Sequence, residues 1–228
     1  MAEAGALRAL LHVRRLGRVE YEAASALQAE LVGRRRREEI PDQLLLLEHP
    51  HVITLGSGAK SEHVLADEAA RRRLGVALAE TGRGGDVTYH GPGQLVGYPI
   101  LALETDRRDL HRYLRELEEV LLRVLSGFGI EGSRIEGNTG VWTDRGKIAA
   151  IGIRVSSGWI TSHGFALNVS PRLEYFDTIV PCGLNDRRVT SLEDLLQRPI
   201  AMDEVLDCVA REFVAVFERD AREMDGRP

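Results

Sequence analysis

The stretch that decides the fold is residues 139–169, TGVWTDRGKIAAIGIRVSSGWITSHGFALNV, in which three apolar segments are separated by two short polar segments. The two polar segments are DRG at residues 144–146 and SSG at residues 156–158. Turns of this length and composition join consecutive antiparallel strands. The sequence therefore predicts a run of adjacent strands here, rather than strands that alternate with helices.

Helical patterns lie on both sides of this β-rich stretch. Apolar residues recur at helical spacing in residues 21–39, in a long helix that begins at Asp109, and in residues 203–219. Short strands are predicted at residues 44–47, 52–55 and 76–80, and a helix begins after Asp67 and stops before Gly75. This order predicts an α/β fold of the α+β type, in which a mixed, largely antiparallel sheet is flanked by helices. No linker divides the chain, so we expect one domain over residues 1–228.

The composition is that of an ordinary globular protein. The 228 residues include 43% hydrophobic and 29% charged residues and carry a net charge of -5, which argues against a nucleic-acid partner. No apolar run has the length of a membrane span, and the first residues lack the basic start of a signal peptide. Two cysteines make no disulfide framework, and the histidines lack metal-ligand spacing. We therefore expect a soluble cytoplasmic protein with no membrane partner, no metal and no cofactor.

A glycine-rich segment, RGGDVTYHGPGQ at residues 83–94, is the densest local signal. Glycines let backbone amides approach a ligand closely, and Arg83 and His90 bracket a short alternating strand. The spacings of nucleotide-binding glycine loops are missing. Taken alone, the segment fits either a ligand-binding loop or a glycine-rich hairpin with a surface histidine.

Cys182 lies in the pentapeptide VPCGL, where the flanking proline and glycine favour a turn that presents its sulfur. A free thiol is mostly protonated at neutral pH, so a nucleophilic cysteine needs a group that lowers its pKa. From this pentapeptide alone, both a reactive and an inert cysteine remain open. Cys208 has an apolar, mid-helix setting and is predicted to be a packing residue.

Lys147 follows the DRG turn and precedes the strand IAAIGI, whose small residues leave room for a bound chain. An ammonium group near a thiol favours the thiolate and can exchange protons. A lysine after a hairpin turn can equally be an exposed charge that discourages pairing at a sheet edge. His90 and His163 are the reserve candidates for a partner of Cys182.

Taken together and in this order, these segments resemble the lipoyl(octanoyl) transferases. The resemblance is carried by LLLEHP at residues 45–50, RGG at 83–85, TYHGPGQL at 88–95, GVW at 140–142, KIAAIG at 147–152, HGFALN at 163–168 and VPCG at 180–183. It extends over nearly the whole chain, from about residue 16 to 217. It implies the fold shared with biotin-protein and lipoate-protein ligases.

The resemblance also implies the activity and the site. Cys182 would carry the acyl group as a thioester, and Lys147 would activate it. The acyl site would be lined by Arg83, Gly84, Gly85, Asp86, Val87, Thr88, Tyr89, His90, Ala150, Ile151, Gly152, Gly164, Phe165 and Ala166. The donor would be octanoyl-acyl-carrier protein. The acceptors would be lipoyl domains of 2-oxoacid dehydrogenase complexes and the H protein of glycine cleavage, in the first step of lipoate biosynthesis.

Two other functions compete with this one. An ATP-dependent lipoate-protein ligase on the same fold needs no nucleophilic cysteine, and a non-catalytic module would only hold acyl chains or lipoyl domains. Cys182 between proline and glycine, with Lys147 intact, argues against both. A cysteine hydrolase, which would release a free acid, is a weaker reading. A ligase would depend on ATP, and a binding module would gain no covalent mass from an acyl donor, so these two measurements separate the alternatives.

Overall fold

The computed structural model describes residues 8–103, 108–180 and 188–224. Within these residues the chain forms five α-helices and two β-sheets. The helices are α1 (Tyr21–Arg36), α2 (Glu68–Leu74), α3 (Leu110–Gly127), α4 (Leu192–Leu196) and α5 (Met202–Phe217). The strands, numbered in chain order, are β1 (Ala9–Arg18), β2 (Asp42–Glu48), β3 (Val52–Leu55), β4 (Ala77–Glu80), β5 (Val87–His90), β6 (Gln94–Ile100), β7 (Ser133–Ile135), β8 (Asn138–Thr143), β9 (Gly146–Ser156), β10 (Ile160–Asn168) and β11 (Arg219–Met224).

The larger sheet has the strand order β11-β1-β2-β6-β10-β9-β8-β7. Strands β11, β1 and β2 pair in parallel, and every pairing from β2 to β7 is antiparallel. A second sheet has the order β4-β3-β5 and is also mixed. The predicted class, a mixed and largely antiparallel sheet with flanking helices, is confirmed.

Helices cover both faces of the larger sheet, and this explains why its central strands are almost wholly apolar. Helices α3 and α5 pack with residues such as Leu117, Val209 and Phe213 on one face. Helix α1 packs on the other face, where Ala24 and Leu31 meet side chains of β2, β6 and β10. The candidate site lies on the α1 face.

Several predicted boundaries are exact, and the others differ at chain reversals. Asp67 caps α2 by accepting a hydrogen bond from the amide of Ala70, and Gly75 ends it in the left-handed conformation at φ 65°. The predicted helix 21–39 ends at Arg36, because the chain reverses through Glu38 at φ 58°. The predicted helix 203–219 ends at Phe217, because Glu218 at φ 52° turns the chain into β11.

Two arginines, Arg35 on α1 and Arg219 on β11, bind the buried carboxylate of Asp42. Nε of Arg35 lies 2.8 Å from Oδ1 of Asp42, which is 2% exposed, and Arg219 contacts the other oxygen of the same carboxylate at 3.1 Å. These three residues join α1, β2 and β11. A buried carboxylate needs such partners, because an unpaired charge in the interior is strongly destabilising.

No helix in the described part of the chain is long and apolar enough to cross a membrane.

Candidate active site

A pocket of about 540 Å³, including its open mouth, lies between α1, β5 and the central strands of the larger sheet. Most of the residues predicted to bind substrate meet there. Those that line it are Arg83, Gly85, Asp86, Val87, Thr88, His90, Lys147, Ala150, Ile151, Gly152, Gly164, Phe165 and Ala166. Cys182 lies outside the described residues.

The floor of the pocket is a row of small side chains on adjacent strands. Ala150 of β9 is directly opposite Ala166 of β10, which is in turn opposite Val96 of β6. The next row along the same strands pairs Gly152 with Gly164. Since paired residues share a face of the sheet, these short side chains leave an apolar trough on the α1 face. Such a trough suits an unbranched hydrocarbon chain.

Arg83 lines the pocket but is also held by the protein around it. Its guanidinium donates to the side chain and the carbonyl of Thr54 and to the carbonyl of Gly84, at 2.8–3.3 Å. A methyl group at Gly152 would lie 3.0 Å from Cδ of Arg83. Glycine is required there so that the Arg83 loop can rest directly on β9. Arg83 therefore fixes the pocket wall through these hydrogen bonds.

Two predicted residues stand behind the pocket wall. Gly84 donates its amide hydrogen to the carbonyl of Ile153, at 2.9 Å, and so attaches the loop to β9. Tyr89 points away, into a cluster with Tyr175 and Phe176, and its hydroxyl lies 2.7 Å from Nδ1 of His51. Both support the pocket from outside it.

Lys147 is buried, with 7% of its surface exposed, so the expectation of a solvated edge charge does not apply to it. Its ammonium nitrogen lies 5.0 Å from the centre of the Trp142 ring, a cation–π geometry. A methyl group at Gly140 would lie 2.8 Å from Cε of Lys147. Gly140 and Trp142, both on β8, thus bound the end of this side chain.

The backbone of Lys147 is paired with the chain that follows Cys182. The amide of Lys147 donates to the carbonyl of Arg188 at 2.8 Å, and the amide of Thr190 donates to the carbonyl of Lys147 at 3.0 Å. On the other side of the Cys182 segment, the amide of Val180 donates to the carbonyl of His63 at 2.8 Å. These hydrogen bonds fix the chain shortly before and shortly after Cys182.

Three histidines around the pocket are held neutral. Burial, with smaller contributions from the charges of neighbouring groups, lowers the pKa of His90 to about 3 and the pKa of His163 to about 4. Burial also lowers the pKa of His49. His49 donates from Nδ1 to the carbonyl of Val19 at 2.7 Å, so its Nε2 accepts the hydroxyl hydrogen of Tyr98 at 2.8 Å. The pocket thus combines neutral imidazoles with Arg83 and Lys147.

Sequence reasoning missed three lining residues: Tyr21, Val96 and Tyr98. They belong to α1 and β6, and no local pattern distinguishes them from core residues. His163 also lines the pocket. Its backbone has φ 56°, and its amide donates to Oε1 of Gln28 at 2.8 Å. A left-handed residue inside a strand is unusual for histidine, and no sequence pattern announces it.

Cys208 is confirmed as a packing residue. It is 6% exposed on α5 within the main core, and burial raises the pKa of its thiol. Among the described residues, no group of three or more His, Cys, Asp or Glu side chains is arranged to hold a metal ion.

The fold and the pocket together define a class of protein. A lipoate-protein ligase A bound with ATP has a TM-score of 0.75 at 18% identity, over 94% of this chain and 89% of that one. A biotin protein ligase from Aquifex aeolicus has a TM-score of 0.52 at 14% identity, over 91% of this chain and 69% of that one. At these identities the likeness concerns the fold: this is the architecture of biotin- and lipoate-protein ligases.

The family follows from sequence. Residues 20–214 match the model of the lipoyl protein ligase A/B catalytic domain, and the chain belongs to that family. Among its relatives is an octanoyltransferase of Rubrobacter xylanophilus, 54% identical over 97% of this chain and 96% of the relative. Another is an octanoyltransferase of Solibacter usitatus, 50% identical over 90% of this chain and 92% of the relative.

The neutral histidines make stability depend on pH. An unfolded histidine binds a proton below about pH 6.5, whereas folded His90 and His163 do so only near pH 3 and pH 4. The unfolded state therefore binds more protons as the pH falls, and folding stability falls with it. Between pH 7 and pH 5, we expect the free energy of unfolding to fall by about 2 kcal/mol for His90 and by about the same amount for His163.

Urea unfolding at several pH values measures this loss. In His90→Gln, the free energy of unfolding should depend less steeply on pH, because about one proton fewer is taken up on unfolding. The control is His111→Gln, because His111 is exposed on α3. If the free energy of unfolding depended on pH equally steeply in His90→Gln and in the unmodified protein, His90 would not be a neutral, buried histidine.

Proposed function

We propose that this chain transfers an octanoyl group from octanoyl-acyl-carrier protein to the lipoyl-domain lysine of lipoate-dependent enzymes, with Cys182 carrying the group as a thioester. Relatives that match nearly the whole chain at about half identity are octanoyltransferases.

The observation that carries this proposal is the position of Lys147. Its buried ammonium group lies at one end of an apolar trough, and its backbone pairs with the segment that follows Cys182. A thiolate beside an ammonium group is favoured over a neutral thiol. The trough accommodates the acyl chain, and the lysine supplies the charge and the proton acceptor that the chemistry needs.

The reaction has two steps. In the first, the Cys182 thiolate attacks the thioester carbonyl of the donor, a new C–S bond forms, and the pantetheine thiolate leaves and takes a proton from the Lys147 ammonium group, which becomes a neutral amine. One thioester replaces another, so no ATP is consumed. In the second step, the acceptor lysine attacks as a neutral amine, an amide forms, and the Cys182 thiolate leaves. Lys147 takes the proton that the attacking nitrogen loses. Backbone amides of the glycine-rich loop are the proposed donors to the oxyanion of each step.

The acceptors in this proposal are lipoyl domains of 2-oxoacid dehydrogenase complexes and the H protein of glycine cleavage, in the cytoplasm, and the whole chain acts as one catalytic domain. Carrier proteins are acidic and this chain carries a net charge of -5, so a local basic surface must receive the donor. Exposed arginines that could form this basic surface lie at two positions: Arg72 and Arg73 on α2, and Arg108 before α3. Arg107 lies outside the described residues.

Intact-mass spectrometry tests the proposal directly. The purified protein is mixed with octanoyl-acyl-carrier protein without ATP, and we expect one octanoyl adduct that disappears when a lipoyl domain is added and reappears on that domain. A ligase would need ATP and free acid, a binding module would gain no covalent mass, and a hydrolase would release octanoate. Any of these three results contradicts the proposal.

A further inference from the structure

His90 has one nitrogen whose partner is missing among the described residues. The side chain is buried, 7% exposed, and lines the pocket. Its Nδ1 lies 2.7 Å from Oε1 of Gln94, whereas its Nε2 has no hydrogen-bond partner within the described part of the chain. Because the side chain lines the pocket, this nitrogen is available to a ligand group of complementary character.

The hydrogen atom of His90 is assigned by a chain of hydrogen bonds that ends on a backbone carbonyl. The carbonyl of Thr190 can only accept, so Nδ2 of Asn168 donates to it, at 2.9 Å. Oδ1 of Asn168 therefore faces Gln94 and accepts from its Nε2, at 2.9 Å. The same Nε2 also donates to the carbonyl of Tyr89, at 3.3 Å, which fixes the Gln94 amide a second time.

It follows that Oε1 of Gln94, an acceptor, faces Nδ1 of His90, so Nδ1 carries the hydrogen. Nε2 is then the unprotonated nitrogen of the ring. Burial lowers the pKa of His90 to about 3, and the positive charge of Arg83 acts in the same direction. At neutral pH, His90 consequently offers a lone pair and no hydrogen at Nε2.

The position of His90 along the pocket is set by strand register. Gln94 of β6 is directly opposite Asn168 of β10, and the row beside this pair is the Val96–Ala166–Ala150 floor. Thr190, which receives the hydrogen bond of Asn168, also donates to the carbonyl of Lys147. The Gln94–Asn168 row thus lies at the Lys147 end of the trough, where the acyl carbonyl must sit in the proposed reaction.

We propose that Nε2 of His90 accepts a hydrogen bond from the attacking amine of the acceptor lysine and so orients it towards the acyl carbonyl. This inference rests on the proposed function. The acyl chain and its thioester have neither N–H nor O–H groups, but a primary amine keeps a spare N–H while its lone pair attacks. His90 is too weak a base to keep a proton at neutral pH, so Lys147 still accepts the proton that is lost when the amide forms.

Nuclear magnetic resonance tests the tautomer without any assay of activity. In protein labelled with ¹⁵N at histidine, long-range ¹H–¹⁵N correlations at pH 7 should show a protonated Nδ1 and an unprotonated Nε2 for His90. The spectrum of His90→Phe assigns the signal by its disappearance. A protonated Nε2, or an imidazolium at pH 7, would overturn the inference.

Kinetics of the two half-reactions test the role. In His90→Phe the ring shape is kept but the acceptor is lost, so the ratio of the transfer rate to the acylation rate should fall about 10- to 100-fold. His90→Gln restores an acceptor oxygen and should recover part of that ratio, and His111→Gln is the matched control. An unchanged ratio in His90→Phe, or equal slowing of both half-reactions, overturns the inference. Failure of the unmodified protein to form any adduct would instead contradict the proposed function.

Discussion

Replacement of Cys182 by alanine is expected to abolish octanoyl transfer while leaving the fold intact. The proposed reaction passes through a thioester on this sulfur, and none of the described side chains that line the pocket is a comparable nucleophile. We expect single-turnover transfer to fall by about three orders of magnitude or more, to the uncatalysed background. Circular dichroism should remain unchanged, because the flanking proline and glycine indicate a turn and not a packed core position.

Cys208→Ala is the matched control. Cys208 is the other cysteine of the chain, but it is buried in the core, where its sulfur lies 3.2 Å from Nη2 of Arg211. This variant should keep its activity and lose only about 1–2 kcal/mol of stability from the smaller side chain. Loss of acyl transfer with stability retained would show that the nucleophile had been assigned to the wrong cysteine. Substantial turnover by Cys182→Ala would end the covalent mechanism.

Lys147→Ala is expected to slow both half-reactions, because Lys147 is proposed to have two roles. Loss of the ammonium group removes the charge that favours the thiolate, so acylation slows. It also removes the proton acceptor for the incoming amine, so transfer slows further. Each role is expected to contribute about 10²-fold to the rate.

Lys147→Arg separates the two roles. A guanidinium keeps the charge but does not give up its proton, so this variant should be acylated and yet transfer poorly. The measurement is the pH dependence of Cys182 alkylation in all three proteins, together with single-turnover transfer. The alkylation profile of Lys147→Ala should move to higher pH. An unchanged profile would remove Lys147 from the mechanism, and His90 and His163 could not replace its charge, because both are neutral at pH 7.

The fold was predictable wherever one local cause determined the structure. Strand β3 and helix α2 begin and end as predicted, because a short apolar run, a capping aspartate and a left-handed glycine act within a few residues. Strands β1 and β11 were missed. Their charged sequences, ALLHVRRLGR and RDAREM, become strands only by pairing with each other and with β2. Non-local pairing of this kind leaves no mark in a sequence window.

The site was predictable as a set of segments but not as a geometry. The sequence indicated Lys147 and the glycine-rich loop, and the structure brings them to one pocket. Nothing local indicated that Arg83 would be held by Thr54, or that Tyr98 would complete the wall beside His49. The hydrogen bonds that join Thr190, Asn168, Gln94 and His90 determine which nitrogen of His90 is protonated. These residues come from segments that meet only in the folded chain.

The pairing of β1 with β11 has a consequence for synthesis on the ribosome. Ala9–Arg14 is synthesised long before Arg219–Met224, and it is exposed along one edge until that later segment becomes available. Asp42 likewise meets Arg35 early and Arg219 late. A nascent chain interrupted before residue 219 would therefore expose the edge of β1, beside an Asp42 that lacks one of its two arginine partners, and exposed strand edges promote aggregation. Among the described strands, the edge strand β11 is thus added last, after every residue that lines the pocket has been synthesised.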